Sequence, residues 1–400
     1  MVIYNKSNLL KGLLYGDVKL LDSTLREGEQ AAGIAFKPDE KLRIALYDDE
    51  IGIDVIEAFA PYSEHDIETI KLIQSAGLAH SELMLWNRLR KEDVDSSLRY
   101  DPNWIGIAVG FSDVHIHKKF GKSRDELLQT CAELIDYVHR HGVKVSLHIE
   151  DATRTETCHL REVVTGLYAD KFRDCDTVSV LIPEAVTQRL KHLINLVPKL
   201  FEVHYHNDYG MAVANSVSAL AAGANSISAT WNGLGERAGN APIEEILLIL
   251  QEMYDVNKFD LVKVREVCEF VSHASHVPIP RYKPVMGCNI FSVQSGIHQD
   301  GLLKDREIYE PYPPEVIGRK WKLILGATSG RNGLAYVLNH QFGYKLPEDE
   351  GKQMEVLRWA RNKAREKKTH LSKKDIWEII HRFKLHRIEV HSSCAGCLAS

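Results

Sequence analysis

The sequence predicts an α/β protein: a (β/α)8 TIM barrel followed by a connector and a small helical subdomain. Short apolar segments alternate with segments of helical periodicity eight times within about 240 residues. Polar residues collect where the apolar segments end, which is where such a barrel places its active site. A doubly wound open sheet is the alternative, but the number of units disfavours it.

The eight units follow one another in order. The first strand is predicted in VKLLDST and its helix in PDEKLRIALYDDEIG, which ends at a glycine. A helical segment also follows each of the other predicted strands, which are VIEAFAP, ELMLWNRL, WIGIAVGFSD, KVSLHIED, TVSVLIPE, VHYHND and SISATWNGLG. After about residue 280, proline and glycine mark an irregular connector, and three helical segments come after it.

These patterns divide the chain into five parts. We predict an N-terminal extension (1–16), a catalytic barrel (17–280), a connector (281–330), a helical subdomain (331–386) and a tail (387–400). The chain of 400 residues is too long for one core, so a large domain with a smaller one is the natural expectation.

The composition is that of an ordinary soluble protein, with 44% hydrophobic residues, 26% charged residues and a net charge of −5. The slight acidity gives no reason to expect a nucleic acid or an anionic membrane as partner, and no apolar segment approaches the roughly 20 residues that span a bilayer. Without a signal-peptide pattern, the seven scattered cysteines suit reduced thiols in the cytoplasm. Cys394 and Cys397 form a lone CxxC in a tail that we interpret as flexible.

The segment FEVHYHND carries predicted metal ligands. Residues two apart on a strand share a face, so Glu202, His204 and His206 point the same way. Two imidazoles about 6–7 Å apart at a barrel mouth can bind one metal ion, although an isolated pair is more often hydrogen-bonded in a core. In DSTLREGEQ, Glu27 is a further ligand and Arg26 suits an anionic substrate, unless this segment is only a salt-bridged loop.

Two other strand ends carry polar groups. Glu150 ends the fifth strand, where it could act as a general base or as an orienting group, and His148 shares its face. After the eighth strand, GLGERAGNAP places Asn240 on a glycine-rich loop. A GxGxxG pattern without the surroundings of a dinucleotide fold is weak, so these glycines are expected to let the backbone approach the metal region.

Six motifs occur together in an order typical of one enzyme family: DSTLREGEQ, HIEDATRT, VHYHNDYGMAVANS, GLGERAGNAPIEE, SGIHQDG and LGATSGRNGL. The chain resembles the DRE-TIM metallolyase superfamily, in its homocitrate synthase / 2-isopropylmalate synthase branch, over roughly residues 15–340. Within that branch it is most similar to the homocitrate synthases of nitrogen fixation. The resemblance implies metal-assisted Claisen condensation of acetyl-CoA with a 2-oxo acid, followed by thioester hydrolysis.

The resemblance also implies roles for residues at the matching motif positions. It gives Glu27, His204, His206 and Asn240 as metal ligands, Arg26, Gln30, Arg88, His148 and Ala185 as substrate-pocket positions, and Arg26, Glu150, His298 and Tyr309 as catalytic groups. Oxygen and nitrogen ligands without a thiolate suit Mn, Zn or Mg, and the two histidines favour the first two.

The connector motif SGIHQDG has its own implication. His298 matches a histidine that a neighbouring subunit lays over the active site, with Tyr309 as its companion. This implies a homodimer with exchanged connectors. The weakly acidic methyl group of acetyl-CoA requires a base, for which Glu150 and His298 are the two candidates.

Three departures from the family pattern bear on the substrate. With the sixth strand placed in TVSVLIPE, residues 184–187 (EAVT) stand where the family has Asp-Thr-Val-Gly, whose threonine holds the carboxylate of the oxo acid, so that Ala185 takes the place of this threonine. His148 stands where serine or glycine is common, and LGATSGR replaces LGKHSGR. A changed, more polar pocket is therefore expected.

Several activities fit such a pocket. The first is homocitrate synthesis from a 2-oxo dicarboxylic acid such as 2-oxoglutarate. The alternatives are phosphonopyruvate giving 2-phosphonomethylmalate, and oxaloacetate giving citrate. A metal-dependent aldolase or lyase is disfavoured by SGIHQDG, and a non-catalytic protein by the intact site residues. A chain ending near residue 400 is also not expected to carry the domain that makes related synthases sensitive to leucine.

Overall fold

The computed structural model describes residues 17–196 and 200–388. Eight parallel strands form a closed barrel in sequence order, and the first pairs with the eighth. The predicted TIM barrel is confirmed. Its strands are Lys19–Asp22 (β1), Val55–Phe59 (β2), Glu82–Arg88 (β3), Trp104–Gly110 (β4), Lys144–Glu150 (β5), Lys171–Asp176 (β6), Leu200–Tyr205 (β7) and Ser226–Ala229 (β8).

A helix follows each barrel strand and packs outside it, as the alternating pattern predicts. The first two helices end at glycines in the left-handed conformation, Gly52 and Gly77, which terminate helices at no steric cost. The helices are Pro38–Ile51 (α1), Glu64–Ala76 (α2), Lys91–Leu98 (α3), Arg124–Arg140 (α4), Thr157–Gly166 (α5), Pro183–Ile194 (α6), Ala212–Ala221 (α7), Ile243–Tyr254 (α8) and Val264–Ala274 (α9).

The sixth strand differs from the prediction. The strand is KFRDCD, whereas TVSVLIPE forms the following loop and the start of α6. Ala185 lies in the first turn of α6, so its placement at a strand end is wrong. Residues 176–178, Asp-Thr-Val, follow the family pattern at the true strand end, and the threonine that seemed lost is Thr177. The prediction failed because the charges of KFRDCD resemble a solvated segment, although the whole strand is buried.

The two basic residues of this strand, Lys171 and Arg173, are neutralised inside the barrel. Arg173 on β6 is buried and donates to Glu202 on β7 (2.6 Å) and to Glu57 on β2 (2.7 Å). Glu57 also accepts from Arg26 Nε and Nη2 at 2.9 and 2.7 Å, and Glu202 accepts from Lys171 at 2.7 Å. The five alternating charges form a chain of ion pairs across the barrel, which we call the interior ion chain. Buried charges are tolerated because each has a partner.

Arg281–Lys283 and residues 287–388 form a second compact unit. Two short strands pair in parallel, Ser292–Val293 (β9) and Lys322–Leu323 (β10). One hydrophobic cluster joins the second of these strands, through Leu323 and Leu325, to the later helices. The helices of this unit are Gly296–Lys304 (α10), Arg331–Val337 (α11), Glu350–Lys367 (α12) and Lys373–Arg382 (α13).

Other predictions concern the ends of the chain and its surroundings. No helix within the two described ranges has both the length and the apolar character needed to cross a bilayer. The extension 1–16 and the cysteines of the tail, Cys394 and Cys397, lie outside the described residues. The five cysteines within them are free thiols. The cytoplasmic location stays a prediction.

Replacing Arg173 with Met tests the interior ion chain. The substitution leaves Glu57 and Glu202 short of a buried partner, so we expect the barrel to lose about 3–5 kcal/mol of unfolding free energy. Urea unfolding followed by circular dichroism measures the change. The control is Arg161→Met on an exposed site of α5, which should stay within about 0.5 kcal/mol of the parent protein. Equal stability of the two variants would contradict the prediction.

Candidate metal centre and active site

Three predicted ligands come together at the carboxyl ends of the strands. One ligand atom from each of Glu27, His204 and His206 lies within 4.8 Å of the other two, and all three side chains are buried. A tight turn after β1 places Glu27: the N–H groups of residues 26, 27 and 28 all donate to the carbonyl oxygen of Ser23. His204 is on β7 and His206 follows it, as the spacing of FEVHYHND predicts.

The orientation of these groups suits a divalent metal ion. His204 Nδ1 lies 3.0 Å from Ser228 Oγ, which leaves Nε2 for a ligand. Burial lowers the pKa of both histidines, so that their imidazoles are neutral at pH 7. Burial raises the pKa of Glu27, but the charge of Arg26 acts in the opposite direction, and the pKa of this carboxylate lies below its ordinary value. A carboxylate with two neutral imidazoles is a donor set that Zn and Mn bind.

Asn240 lies beside this set, in an isolated β-bridge with His206. Its Nδ2 donates to Leu234 O at 3.0 Å, while its buried Oδ1 has no hydrogen-bond partner among the described residues. The glycines of GLGERAGNAP make the approach possible: a Cβ at Gly235 would lie 2.0 Å from Asn240 Nδ2, and Gly235 has a φ of 155°. The four predicted ligands therefore fit a metal ion, which they would hold at the barrel mouth.

The guanidinium of Arg26 connects the metal centre with the interior ion chain. Besides Glu57, it contacts Glu27, and Nη1 donates to Gln30 Oε1 at 3.2 Å. The indole of Trp86, which no sequence pattern singled out, lies 5.5 Å from Arg26 Cζ. Arg26 and Gln30 thus stand side by side next to the predicted metal ligands.

Glu150 lies at the end of β5 and has two nitrogen neighbours. Its Oε2 accepts from Lys119 Nζ and lies 3.7 Å from His115 Nδ1. Both residues belong to the segment HIHKKF after β4, which sequence reasoning missed. Thr177 lies close by, because its Oγ1 accepts from the N–H of Asp151 at 2.8 Å. Among the described residues, its hydroxyl has no acceptor for its own proton.

His148 is buried inside the barrel without a hydrogen bond. Neither ring nitrogen has a partner among the described residues, and Nδ1 lies 3.8 Å from Glu57 Oε1. Burial and the charge of Arg173 lower the pKa of His148 well below its usual value, so the ring is neutral. The ring fits because residue 106 is glycine: a Cβ there would lie 2.7 Å from His148 Cε1. Ser146, two residues earlier on the same face of β5, also has a buried side-chain oxygen without a hydrogen-bond partner among the described residues.

Two predicted pocket residues have other surroundings. Arg88 is half exposed and pairs with Asp93 through Nε (2.6 Å) and Nη2 (2.9 Å), with its guanidinium over the ring of Tyr62. Its substrate role stays a prediction. Ala185 lies in the first turn of α6, two residues after Pro183, and not at a strand end. We therefore assign it no part in the pocket.

The connector residues His298 and Tyr309 lie in the second unit. Their ring centroids are 4.3 Å apart in an edge-to-face arrangement, and both side chains are exposed. Exposed apolar neighbours flank them: the relative exposure is 76% for Ile297 and 51% for Ile308. A cleft of about 320 Å³ opens beside the pair.

Comparisons with known proteins identify the family of this chain. Residues 17–271 match the HMGL-like family model, and residues 285–368 match the model of the homocitrate synthase post-HMGL domain. The chain belongs to the HMGL-like family. The predicted resemblance to the DRE-TIM enzymes of the homocitrate and 2-isopropylmalate synthase branch is thereby confirmed.

Relatives of this HMGL-like chain include synthases. It is 40% identical to (R)-citramalate synthase of Methanocaldococcus jannaschii over 80% of this chain and 66% of that protein. It is 39% identical to 2-isopropylmalate synthase 2 of Caldanaerobacter subterraneus subsp. tengcongensis over 83% of this chain and 88% of that protein. The chain spans about two thirds of the length of the citramalate synthase. At the level of the family, the predicted acyltransferase class is confirmed.

Solved structures show the same fold at lower identity. The hydroxymethylglutaryl-CoA lyase of Bacillus subtilis superimposes with a TM-score of 0.59, at 18% identity, over 67% of this chain and 96% of its own. The lyase of Pseudomonas aeruginosa gives a TM-score of 0.59 at 17% identity, over 67% of this chain and 96% of its own. These similarities cover about two thirds of the chain, which is enough for a complete barrel, and confirm the TIM barrel.

Replacing Glu27 with Gln tests the metal centre. Loss of the only carboxylate among the four predicted ligands should weaken binding of Mn or Zn at least about 10-fold, since the ligand charge is removed. Isothermal titration calorimetry on metal-free protein gives the affinity and the stoichiometry, which should be one ion per chain. Glu184→Gln, an exposed carboxylate on α6, is the control and should bind like the parent protein. Equal affinity of the two variants would contradict the assignment.

Proposed function

We propose that this protein condenses acetyl-CoA with a 2-oxo acid that carries a polar or anionic side chain, and then hydrolyses the thioester. A methyl C–H bond of acetyl-CoA breaks, its proton passes to a base, and the electron pair forms a C–C bond to the keto carbon. The π pair of the C=O bond moves to the keto oxygen, which takes up a proton to become a hydroxyl group. Water then cleaves the thioester to give a carboxylate and free CoA. A divalent ion held by Glu27, His204, His206 and Asn240 supplies Lewis acidity toward the keto oxygen.

The environment of His148 supports a polar side chain on the substrate. An aliphatic group beside this ring would leave its two buried nitrogens without partners, which costs about 1–3 kcal/mol for each group. A carboxylate or phosphonate can accept from the ring N–H. Enzyme sites built to hydrogen-bond a substrate reject analogues that lack the group. A homocitrate-type reaction with 2-oxoglutarate is therefore preferred over the methyl and isopropyl side chains of citramalate and isopropylmalate.

Other anionic 2-oxo acids can accept the same hydrogen bond from the ring of His148. Phosphonopyruvate would give 2-phosphonomethylmalate, and oxaloacetate would give citrate. These acids differ from 2-oxoglutarate in length, because the carboxylate of 2-oxoglutarate is one methylene farther from the keto carbon than that of oxaloacetate. Binding assays with the three acids can rank them.

The other site residues have complementary parts in this proposal. Arg26 lies against Glu27 and next to Gln30, so its charge stabilises the oxygen that becomes negative at the former keto group. Thr177 has a hydroxyl proton to donate to the carboxylate of the oxo acid. Glu150, paired with Lys119, is the base that this barrel itself supplies.

We further propose that His298 and Tyr309 act on the barrel of a partner subunit. Both rings are exposed within a patch that includes Ile297 and Ile308, and a monomer would leave this apolar surface in water. A C2 dimer in which each connector covers the other barrel buries the patch and completes two sites. His298 then acts beside Glu150 on the methyl group of acetyl-CoA, or it takes part in hydrolysis of the thioester.

A thiol-release assay tests the reaction. Purified protein with Mn or Zn and acetyl-CoA should release CoA when 2-oxoglutarate, phosphonopyruvate or oxaloacetate is added, and release should stop after treatment with a chelator because the Lewis acid is lost. Pyruvate and 3-methyl-2-oxobutanoate should react at least about 10-fold more slowly. No release with any 2-oxo acid would refute the synthase proposal, and cleavage of hydroxyacyl-CoA in its place would identify a lyase.

The same panel tests the part played by His148. The variant His148→Leu removes both ring nitrogens at similar volume, so kcat/KM should fall at least about 10-fold for the anionic acid and should fall less for pyruvate. His192→Leu, at an exposed site on α6, is the matched control. A preference for anionic acids that survives the loss of His148 would place their recognition elsewhere.

Subunit complementation tests the exchanged connector. Glu27→Gln and His298→Ala should each be inactive as homodimers. Co-expressed with different tags, they should form heterodimers with one intact site, and the mixture should regain about a quarter of the parent activity. Co-expression of Glu27→Gln with the double variant Glu27→Gln/His298→Ala should regain no activity, because neither barrel then has an intact metal ligand set. If the first mixture stays inactive although heterodimers are isolated, each connector serves its own barrel.

A further inference from the structure

His115 is a histidine beside the active site to which no sequence motif assigned a role. It begins a one-turn π-helix, His115–Phe120, between β4 and α4. Such turns are rare and occur often at functional sites. The turn brings His115 and Lys119 to the same carboxylate, Glu150.

The imidazole of His115 lies between two carboxylates. Nδ1 is 3.7 Å from Glu150 Oε2, and Nε2 is 3.8 Å from Asp151 Oδ2. Nδ1 is buried and has no hydrogen-bond partner among the residues that the structure describes. The ring occupies space that only a glycine leaves, because a Cβ at Gly110 would lie 2.1 Å from Nδ1. The end of β4 is therefore shaped around this imidazole.

Asp151 is already satisfied by other donors. Its Oδ2 accepts from Ser112 Oγ at 2.5 Å, and its Oδ1 accepts from Arg154 Nε at 2.7 Å. Its backbone is in the left-handed region, with a φ of 53°, a conformation held by the hydrogen bond to Thr177. Both carboxylate oxygens of Asp151 thus already accept a hydrogen bond. The unpartnered nitrogen of His115 is Nδ1, which faces Glu150.

The charge state of His115 permits it to accept a proton. Burial, reinforced by the charges of Lys119 and Arg154, lowers the pKa of His115, and the opposing charges of Asp151 and Glu150 do not reverse the shift. The ring is neutral at pH 7 and retains a lone pair. Part of its side chain also reaches the solvent, with 15% relative exposure, so a proton has a route to water.

We propose that His115 is a positioning and proton-relay residue for Glu150, an inference that rests on the proposed condensation. Glu150 takes the proton from the methyl group of acetyl-CoA as the C–C bond forms. The O–H bond of Glu150 then breaks and its proton moves to His115 Nδ1, which restores the carboxylate before the hydrolytic step. His115 releases this proton to water from its exposed edge. Lys119 holds the same carboxylate oxygen in place during the transfer.

The variants His115→Asn and His115→Ala test this relay. Asn keeps a polar group near Nδ1 but cannot accept a proton, so kcat should fall about 10- to 100-fold while KM for acetyl-CoA changes less than about threefold. The fall in the kcat of the parent protein at acid pH, where His115 becomes protonated, should be absent in both variants. Added imidazole should restore part of the activity of His115→Ala.

The controls separate this inference from the function on which it rests. His117→Asn changes an exposed histidine on the same π-turn and should leave kcat unchanged. Metal affinity and the circular dichroism spectrum should be the same in all variants. Parent-like kcat in His115→Asn, or a change in KM alone, would overturn the relay and leave the synthase proposal intact. Absence of CoA release by the parent protein would overturn both.

Discussion

The pairing of buried charges across the barrel is the constraint on which the active site depends. Arg173 cannot remain inside the barrel without Glu57 and Glu202, and Glu57 in turn holds the guanidinium of Arg26. Because Arg26 touches Glu27, the position of a metal ligand is connected through ion pairs to the middle of the sheet. Removing water from such pairs costs free energy, which is offset only when every charge is matched.

Much of the fold and of the metal centre could be predicted from the sequence. Short apolar segments that alternate with segments of 3.6-residue periodicity located seven of the eight strands, since the cores of these strands are apolar. The spacing of His204 and His206 sufficed to place two imidazoles on one strand end. The sixth strand could not be found in this way, because its burial depends on Glu57 and Glu202, which belong to other strands. A pattern within a single segment does not reveal partners that only the closed barrel supplies.

The substrate pocket shows the same limitation. With the sixth strand misplaced, Ala185 seemed to replace a threonine, although Thr177 stands at the true strand end. Likewise, HIHKKF has the composition of a solvated turn, and only the structure shows that His115 and Lys119 face Glu150. Residues that act through contacts between two loops leave little signal in either loop alone. The loops at the strand ends of this barrel are therefore where sequence patterns carry the least information.

The two glycines of β4 have a consequence for how this pocket can change. Gly106 leaves room for His148, and Gly110 leaves room for His115, each from a neighbouring element. A side chain at either position would occupy the volume of the ring opposite, so each glycine and its histidine form a steric couple. A relative with a larger residue at the first position must have a smaller one in place of His148. The side chain at position 148 is therefore limited by its neighbour on β4, whereas the one at position 115 is limited by the end of the strand that precedes it.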